Sequence, residues 1–284
     1  MRAFLRHYLL ALQFFTRIPV RGRLADWVGF SPQMLRASAA HFPGVGWLVG
    51  ALVAGLSLLL LMGLPAGAFA PLIVAALGTA FGMLITGAFH EDGLADVADG
   101  LGGSLQRERA LDIMKDSRVG AFGAMAIAMA LLTKLALLAQ LASMGAALLG
   151  ALLFLAHVLS RTWPLLLIRF LPHVGDTAAS KSKPLADQIA LPALCVALLW
   201  CVLAVLLLLG LQWRWNAIVP QPLVPQWWAG LLGAGVASAL VFAWMGRWFA
   251  RRLQGFTGDC LGATQQVCEL AVYLGFLLGW QVLA

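Results

Sequence analysis

Seven apolar stretches in this chain are long enough to cross the roughly 30 Å of hydrocarbon in a bilayer. They lie near 43–63, 69–90, 120–142, 145–170, 189–211, 227–249 and 266–284. Each predicts a membrane-spanning helix, and the glycines of the last two also allow a tilted or re-entrant course. Ahead of them, MRAFLRHYLLALQFFTRIPV sets Arg2 and Arg6 before an apolar run that ends on Arg17, Ile18 and Pro19. No small-residue cleavage site follows, so the pattern predicts a retained amphipathic helix at the cytoplasmic interface or against the bundle. The expected fold class is all-α: a polytopic integral membrane helical bundle of seven transmembrane helices plus an N-terminal interfacial helix. Residues 1–284 form one membrane-embedded domain.

Composition supports this. The chain is 62% apolar and 11% charged, and a soluble domain carries about twice that charged share. The net charge of +7 could suggest nucleic acid, but too little chain lies outside the spans to form such a domain. Anionic headgroups and phosphorylated ligands account for the excess better. Cys195, Cys201, Cys260 and Cys268 form no CxxC pair and sit in or beside apolar runs, which reads as buried thiols without a disulfide framework.

Charge also orients the chain. With a cytoplasmic N-terminus and seven crossings, every basic residue except Arg214 and Lys134 falls on the cytoplasmic side, as the positive-inside rule requires. All twelve acidic residues fall there too. The far face has short turns and one Trp- and Pro-rich loop near 212–226, with no carboxylate to act chemically, so a site on the cytoplasmic face is expected.

Three clusters carry candidate chemistry. In HEDGLADVADG (90–100), Asp92, Asp96 and Asp99 are spaced i, i+4, i+7 and fall within about 60° on a helix. No Lys or Arg interleaves them between Ala88 and Gln106. Three carboxylates on one face repel each other, and a hard divalent cation such as Mg²⁺ would relieve that, taking carboxylates together with substrate phosphates. In DIMKDSRVG (112–120), Lys115 and Arg118 are suited either to clamping phosphate oxygens or to anchoring the membrane interface. In GFTGDCLGA (255–263), small residues permit close backbone approach, and they do not account for Asp259 beside an apolar run. Lys134, inside the third span, either snorkels to the interface or pairs with a carboxylate within the bundle, with pairing favoured. His41, Pro43, His157, Ser160 and Arg161 are possible lining residues, and the polar loop 173–188 is a lid or a connector. Walker, dinucleotide-binding, zinc and serine-elbow motifs are absent.

FFTRIPV (14–20), HFPGVGWLVG (41–50), HEDGLADVADGLGG (90–103), IMKDSRVGAFG (113–123) and GFTGDCLGATQQVCE (255–269) together closely resemble cobalamin synthases, the adenosylcobinamide-GDP ribazoletransferase family. The likeness covers nearly the whole chain. Glu91 stands where the family often has an apolar residue, Asp112 where it often has glutamate, and Gln266 where an acidic residue is expected.

The resemblance implies a bacterial inner-membrane, Mg²⁺-dependent enzyme with its N-terminus and site in the cytoplasm. Its substrates would be adenosylcobinamide-GDP and α-ribazole, or the 5′-phosphate of the latter, and GMP would leave. A homo-oligomer is compatible with this; a nucleic-acid partner is not expected. For that reaction the expectation from these residues is that Asp92, Asp96 and Asp99 hold Mg²⁺, and Lys115 and Arg118 grip phosphate. Asp99 or Asp116 takes the hydroxyl proton, while His90, Arg161, Thr257, Gly258 and Asp259 bind substrate. Two alternatives remain: a CDP-alcohol-type lipid phosphotransferase, whose aspartate-rich motif is similar in style, and a transporter. The absence of an internal repeat and the gathering of carboxylates at one edge argue against a transporter.

Overall fold

The computed structural model describes residues 2–175, 188–218 and 225–283, with side chains for all of these except 212–218. The helices are α1 (Arg2–Phe15), α2 (Arg23–Val28), α3 (Pro32–Ser38), α4 (Phe42–Gly63), α5 (Ala70–Thr86), α6 (Phe89–Gly103) and α7 (Arg107–Met114), then α8 (Ala121–Met144), α9 (Ala146–Leu159), α10 (Trp163–Phe170), α11 (Leu191–Ile218), α12 (Pro225–Arg252) and α13 (Gly258–Val282). No strand occurs among the described residues; one isolated bridge joins His173 to Phe256. Six helical segments are long and apolar enough to cross a membrane, and α5 with α6 makes a seventh, bent by 90°. An all-α polytopic bundle is therefore the architecture, and α1 lays Leu10, Leu12 and Phe15 onto it.

The spans differ in depth within the bundle. Burial covers 72% of the α13 window and 78% of the α9–α10 window, against 22% in each of α8, α11 and α12. Helix α13 is central, packing against α6, α8, α9, α10 and α12. The outer helices expose Leu132, Leu206, Leu232 and Leu240, which water would penalise and lipid does not.

Several sequence boundaries move. The last span begins at Gly258 instead of 266, because Thr257 caps it by accepting from the Cys260 N–H, and Asp259 thereby enters its first turn. The fourth span breaks at Ser160–Thr162 before α10, where Pro164 lies near the start of the new helix. Helix α11 continues to Ile218, into the region expected to be a loop near 212–226, of which 219–224 lie outside the described residues. The candidate lid 173–188 lies mostly outside them as well.

The second span ends in a break that positions α6. Gly87 and Ala88 both take left-handed backbone conformations, with φ of 71° and 56°. A β-carbon on Gly87 would collide with the Arg17 side chain, while the Arg17 N–H donates to the Ile85 carbonyl at 2.6 Å. The segment after α1 thus braces the corner from which α6 departs.

At its other end α6 is held by cations. Arg252 donates to the carbonyls of Leu101 (3.2 Å) and Ser104 (2.5 Å), satisfying acceptors that a helix C-terminus leaves open. Arg107 donates to the Leu253 carbonyl at 2.7 Å. Two residues that obey the positive-inside count are therefore also tethers between α12 and the α6–α7 corner.

Two charges counted toward the cytoplasmic face lie inside the bundle instead. Glu269 and Arg161 are each only 1% exposed. Lys134 finds its partner in Glu269 at 2.7 Å, and Glu269 also accepts from Gln265 and Tyr273 at 2.9 and 3.1 Å. Arg161 donates to the His157 carbonyl at 2.9 Å and lies 5.7 Å from the centre of the Phe42 ring. Each charge is tolerated there because it has partners: for Glu269, Lys134 across helices and Gln265 and Tyr273 on its own helix, and for Arg161, His157 one turn before it.

Candidate active site

The aspartates of α6 do not share one environment. Asp92 is exposed, Asp96 half-buried and Asp99 buried. Asp99 faces the start of α8: its Oδ2 accepts the Gly120 N–H at 2.7 Å and its Oδ1 the Gly123 N–H at 2.8 Å. Helix α8 has no cap from its own Gly120 side, so a carboxylate on another helix satisfies its first turn. A β-carbon on Gly120 or Gly123 would run into that carboxylate. The glycines of RVGAFG are needed for this approach.

Asp92 and Asp96 interact electrostatically with Asp259 across the crossing of α6 and α13. Helices α6 and α13 cross in backbone contact, and a β-carbon on Gly93 would lie 2.8 Å from the Asp259 carbonyl oxygen and 3.3 Å from the Gly262 Cα. This close approach brings the two helices' carboxylates into electrostatic contact: Asp96 feels the charges of Asp259, Asp92 and Asp99, and Asp259 that of Asp92. The Thr257 hydroxyl lies 3.2 Å from Asp259 Oδ2, to which it donates, and Gly258 begins the helix beside them. The loop before α13 is pinned in turn, with the Phe256 N–H donating to the Pro172 carbonyl and the Val174 N–H to the Phe256 carbonyl.

Among the described residues, no three His, Cys, Asp or Glu side chains converge closely enough to enclose a metal ion by themselves. That still fits Mg²⁺, which commonly takes one or two carboxylates and fills its octahedral shell with substrate phosphates and water. Asp92, Asp96 and Asp259 provide hard oxygen donors of this kind. Asp99 has both oxygens engaged by backbone N–H groups.

Beyond α7 the second cluster is exposed. Asp116 accepts from the Arg118 side chain at 2.5–3.1 Å and from the Arg118 N–H at 3.1 Å. Hydrogen bonds from Arg118 hold the Asp116 carboxyl at about 2, so it remains ionised through the neutral range and is a weak proton acceptor. Lys115 reaches Asp112 at 3.9 Å with both side chains largely exposed, a pairing of small energetic value. Helix α7 packs beneath α6, with Met114 against Gly100, so this cationic loop adjoins the carboxylate face.

Other expected residues are placed deeper. His90 is 1% exposed and stacks on Phe42 at 5.7 Å. Arg161 lies in the interior beside His157, and Ser160 accepts from Gln265 at 2.9 Å. His41 accepts from Trp200 at 3.3 Å and lies among Phe4, Tyr8 and Trp200.

Sequence reasoning passed over Glu91, Gln265, Gln266, Glu269 and Tyr273 as a connected set. Gln266 donates to Glu91 Oε1 and to Gln265 Oε1, both at 3.0 Å. One signal was present: Gln265, Glu269 and Tyr273 are spaced i−4, i, i+4, a polar stripe on one face of an apolar helix.

The family model described as Cobalamin-5-phosphate synthase matches residues 7–277. An adenosylcobinamide-GDP ribazoletransferase of Albidiferax ferrireducens is 66% identical over 279 residues, covering 98% of this chain and 100% of that protein. Proteins of the same name from Polaromonas sp. and Vibrio cholerae are 59% and 41% identical, the first covering 96% of both chains and the second 96% of this chain and 95% of its own. No solved structure matches.

Proposed function

The chain belongs to the cobalamin-5-phosphate synthase family, and from that premise we propose how its carboxylate face acts. The protein transfers the adenosylcobinamide phosphate moiety of adenosylcobinamide-GDP to α-ribazole or α-ribazole 5′-phosphate. A ribose hydroxyl forms a bond to the phosphorus on the cobinamide side. The bond from that phosphorus to the GMP oxygen breaks, and GMP departs with the electron pair. The products are adenosylcobalamin, or its 5′-phosphate, and GMP.

The meeting of Asp92 and Asp96 with Asp259 at the Gly93–Gly262 crossing carries this reading. Like charges from two helices are set together on a polar face, where a diphosphate and its counter-ion would relieve their repulsion. Asp92 and Asp96 are the residues that would hold Mg²⁺ together with phosphate oxygens. When bound, the ion offsets negative charge on the transferred phosphoryl group and the leaving nucleotide. Asp259 receives the hydroxyl proton, since both oxygens of Asp99 and of Asp116 are already engaged. Lys115 and Arg118 hold phosphate oxygens from the adjoining loop. Gly258 and the Thr257 cap offer the N-terminal end of α13 to the same anion. His90 and Arg161, both buried, support the face from beneath. The site faces the cytoplasm across the inner membrane, which the distribution of basic residues supports.

The test is to assay membranes with Mg²⁺, adenosylcobinamide-GDP and α-ribazole while following GMP. Asp92→Asn and Asp96→Asn are expected to lose about 10²-fold or more in turnover, the scale of an electrostatic group in a transition state. Near-native rates in both would sink the assignment.

A further inference from the structure

Beneath the carboxylate face, four buried polar atoms without hydrogen-bond partners belong to residues that line one cavity. They are Thr79 Oγ1 on α5, His90 Nε2 and Glu91 Oε2 on α6, and Arg161 Nε between α9 and α10. Their residues are 6%, 1%, 7% and 1% exposed. Bare polar groups at such burial are costly, and native structures meet them with protein or ordered water.

Size, charge and donor balance identify the occupant. The cavity offers about 10 Å³ to the centre of a water-sized body, close to the roughly 10–15 Å³ that one water needs. Its charged lining is Lys134, Arg161, Glu91 and Glu269, which sums to neutrality, so an ion would bring an uncompensated charge into the bundle. Arg161 Nε can only donate and a carboxylate oxygen of Glu91 accepts, while Thr79 and His90 do either. A neutral molecule that both donates and accepts satisfies all of these, and water is the one that fits.

We propose that an ordered water bridges Glu91 to Arg161 in this cavity, and that Glu91, Arg161 and Thr79 are positioning residues for the α6 carboxylates. The reason lies in how α6 begins. It leaves a left-handed corner at Gly87–Ala88 with no side-chain cap, and Glu91 immediately precedes Asp92. The hydrogen bond from Gln266 to Glu91 and the Gly93–Gly262 approach tie that first turn to α13, and ring contacts of His90 with Phe42 and of Phe89 with Phe14 tie it to α4 and α1. The water adds polar ties to α5 and to the α9–α10 junction. The catalytic part of this inference rests on the proposed reaction; the water itself does not.

Two measurements on the full-length protein in nanodiscs test it. The first is a structure at a resolution that shows ordered water. Density within hydrogen-bonding distance of Glu91 and Arg161 is expected, and an empty cavity between well-ordered side chains overturns the proposal whatever reaction the protein catalyses. The second separates kcat from KM for GMP release. Glu91→Leu should lower kcat about tenfold with KM nearly unchanged, as a small misplacement of reacting groups does. Glu91→Gln keeps both polar contacts and should restore kcat to within about threefold of wild type, the scale of one altered hydrogen bond. A Leu variant at the wild-type rate, or a Gln variant as impaired as Leu, overturns the positioning role. Should Glu91→Leu not fold, the near-isosteric Thr79→Val takes its place, with a kcat loss of about two- to threefold expected from one hydrogen bond and an unchanged kcat counting against the proposal. If wild-type protein releases no GMP, the proposed reaction fails, and the water density still decides the site.

Discussion

Two groups of charges lie within a few turns of each other and are treated in opposite ways. On the α6–α13 crossing, Asp96 is repelled by Asp259, Asp92 and Asp99, and Asp259 by Asp92, with Asp92 exposed and Asp96 half-buried. One layer deeper, Lys134 and Glu269 are opposite charges, 6% and 1% exposed, joined at 2.7 Å and surrounded by Gln265 and Tyr273. The first group stores repulsion that a cation and a phosphorylated substrate would release. The second has its charge balanced within the protein. A charged cluster is thus informative about chemistry when its own chain does not neutralise it.

That contrast can be broken most forcefully at the buried pair. Lys134→Met leaves Glu269 charged in the interior and is expected to destabilise by about 3–5 kcal/mol, read as a large fall in melting temperature in detergent. Lys134→Met with Glu269→Leu should recover much of that loss, because no unpaired charge remains. Asp96→Asn should do the reverse, abolishing most turnover without lowering the melting temperature, since it removes a repelled, half-buried charge. If Asp96→Asn instead melts early and Lys134→Met does not, the division between the two regions is wrong.

A smaller effect is expected where the two regions join. Gly93→Ala adds a β-carbon 2.8 Å from the Asp259 backbone oxygen, so the helices must part by a few tenths of an ångström. Turnover should fall about tenfold through the displaced carboxylates, with the Lys134–Glu269 pair intact and the protein still folded. Wild-type turnover in this variant would show that the crossing does not set the geometry of the site.

The smallest effect concerns pH. Arg118 lowers the Asp116 carboxyl to about 2, below its ordinary value. A lowered carboxylate contributes its stabilisation above its unfolded-state pKa and loses it as pH falls through the folded value, here a window from about 4 down to about 2. Between pH 5 and 9 Asp116 therefore does not titrate. Asp116→Asn should leave the shape of the pH–rate profile unchanged across that range, with any change confined to substrate affinity. Loss of the acid-side limb of the profile would make Asp116 the proton acceptor after all.

Much of the fold could be read along the chain, because hydrocarbon imposes a length and an apolarity on each crossing that need no tertiary information. The exceptions are local. The span placed at 266–284 begins at Gly258 because a Thr257 cap and a central position in the bundle let polar residues such as Gln265, Gln266 and Glu269 sit inside it. A hydropathy pattern reads those residues as the end of the membrane, and only packing shows that they face partners.

The same division holds for the site. Sequence alone determined that Asp92, Asp96 and Asp99 share a helical face and that Lys134 inside a span must either find a partner or reach the interface, since helical periodicity and the cost of charge in lipid act locally. Tertiary structure decided which carboxylates stand together. It turned Asp99 onto the first turn of α8 and set Asp92 and Asp96 against Asp259 from some 160 residues away. It also gave Lys134 to Glu269. Those choices depend on how closely backbones approach at glycines such as Gly93 and Gly262, a property of two helices together that neither helix carries in its own pattern.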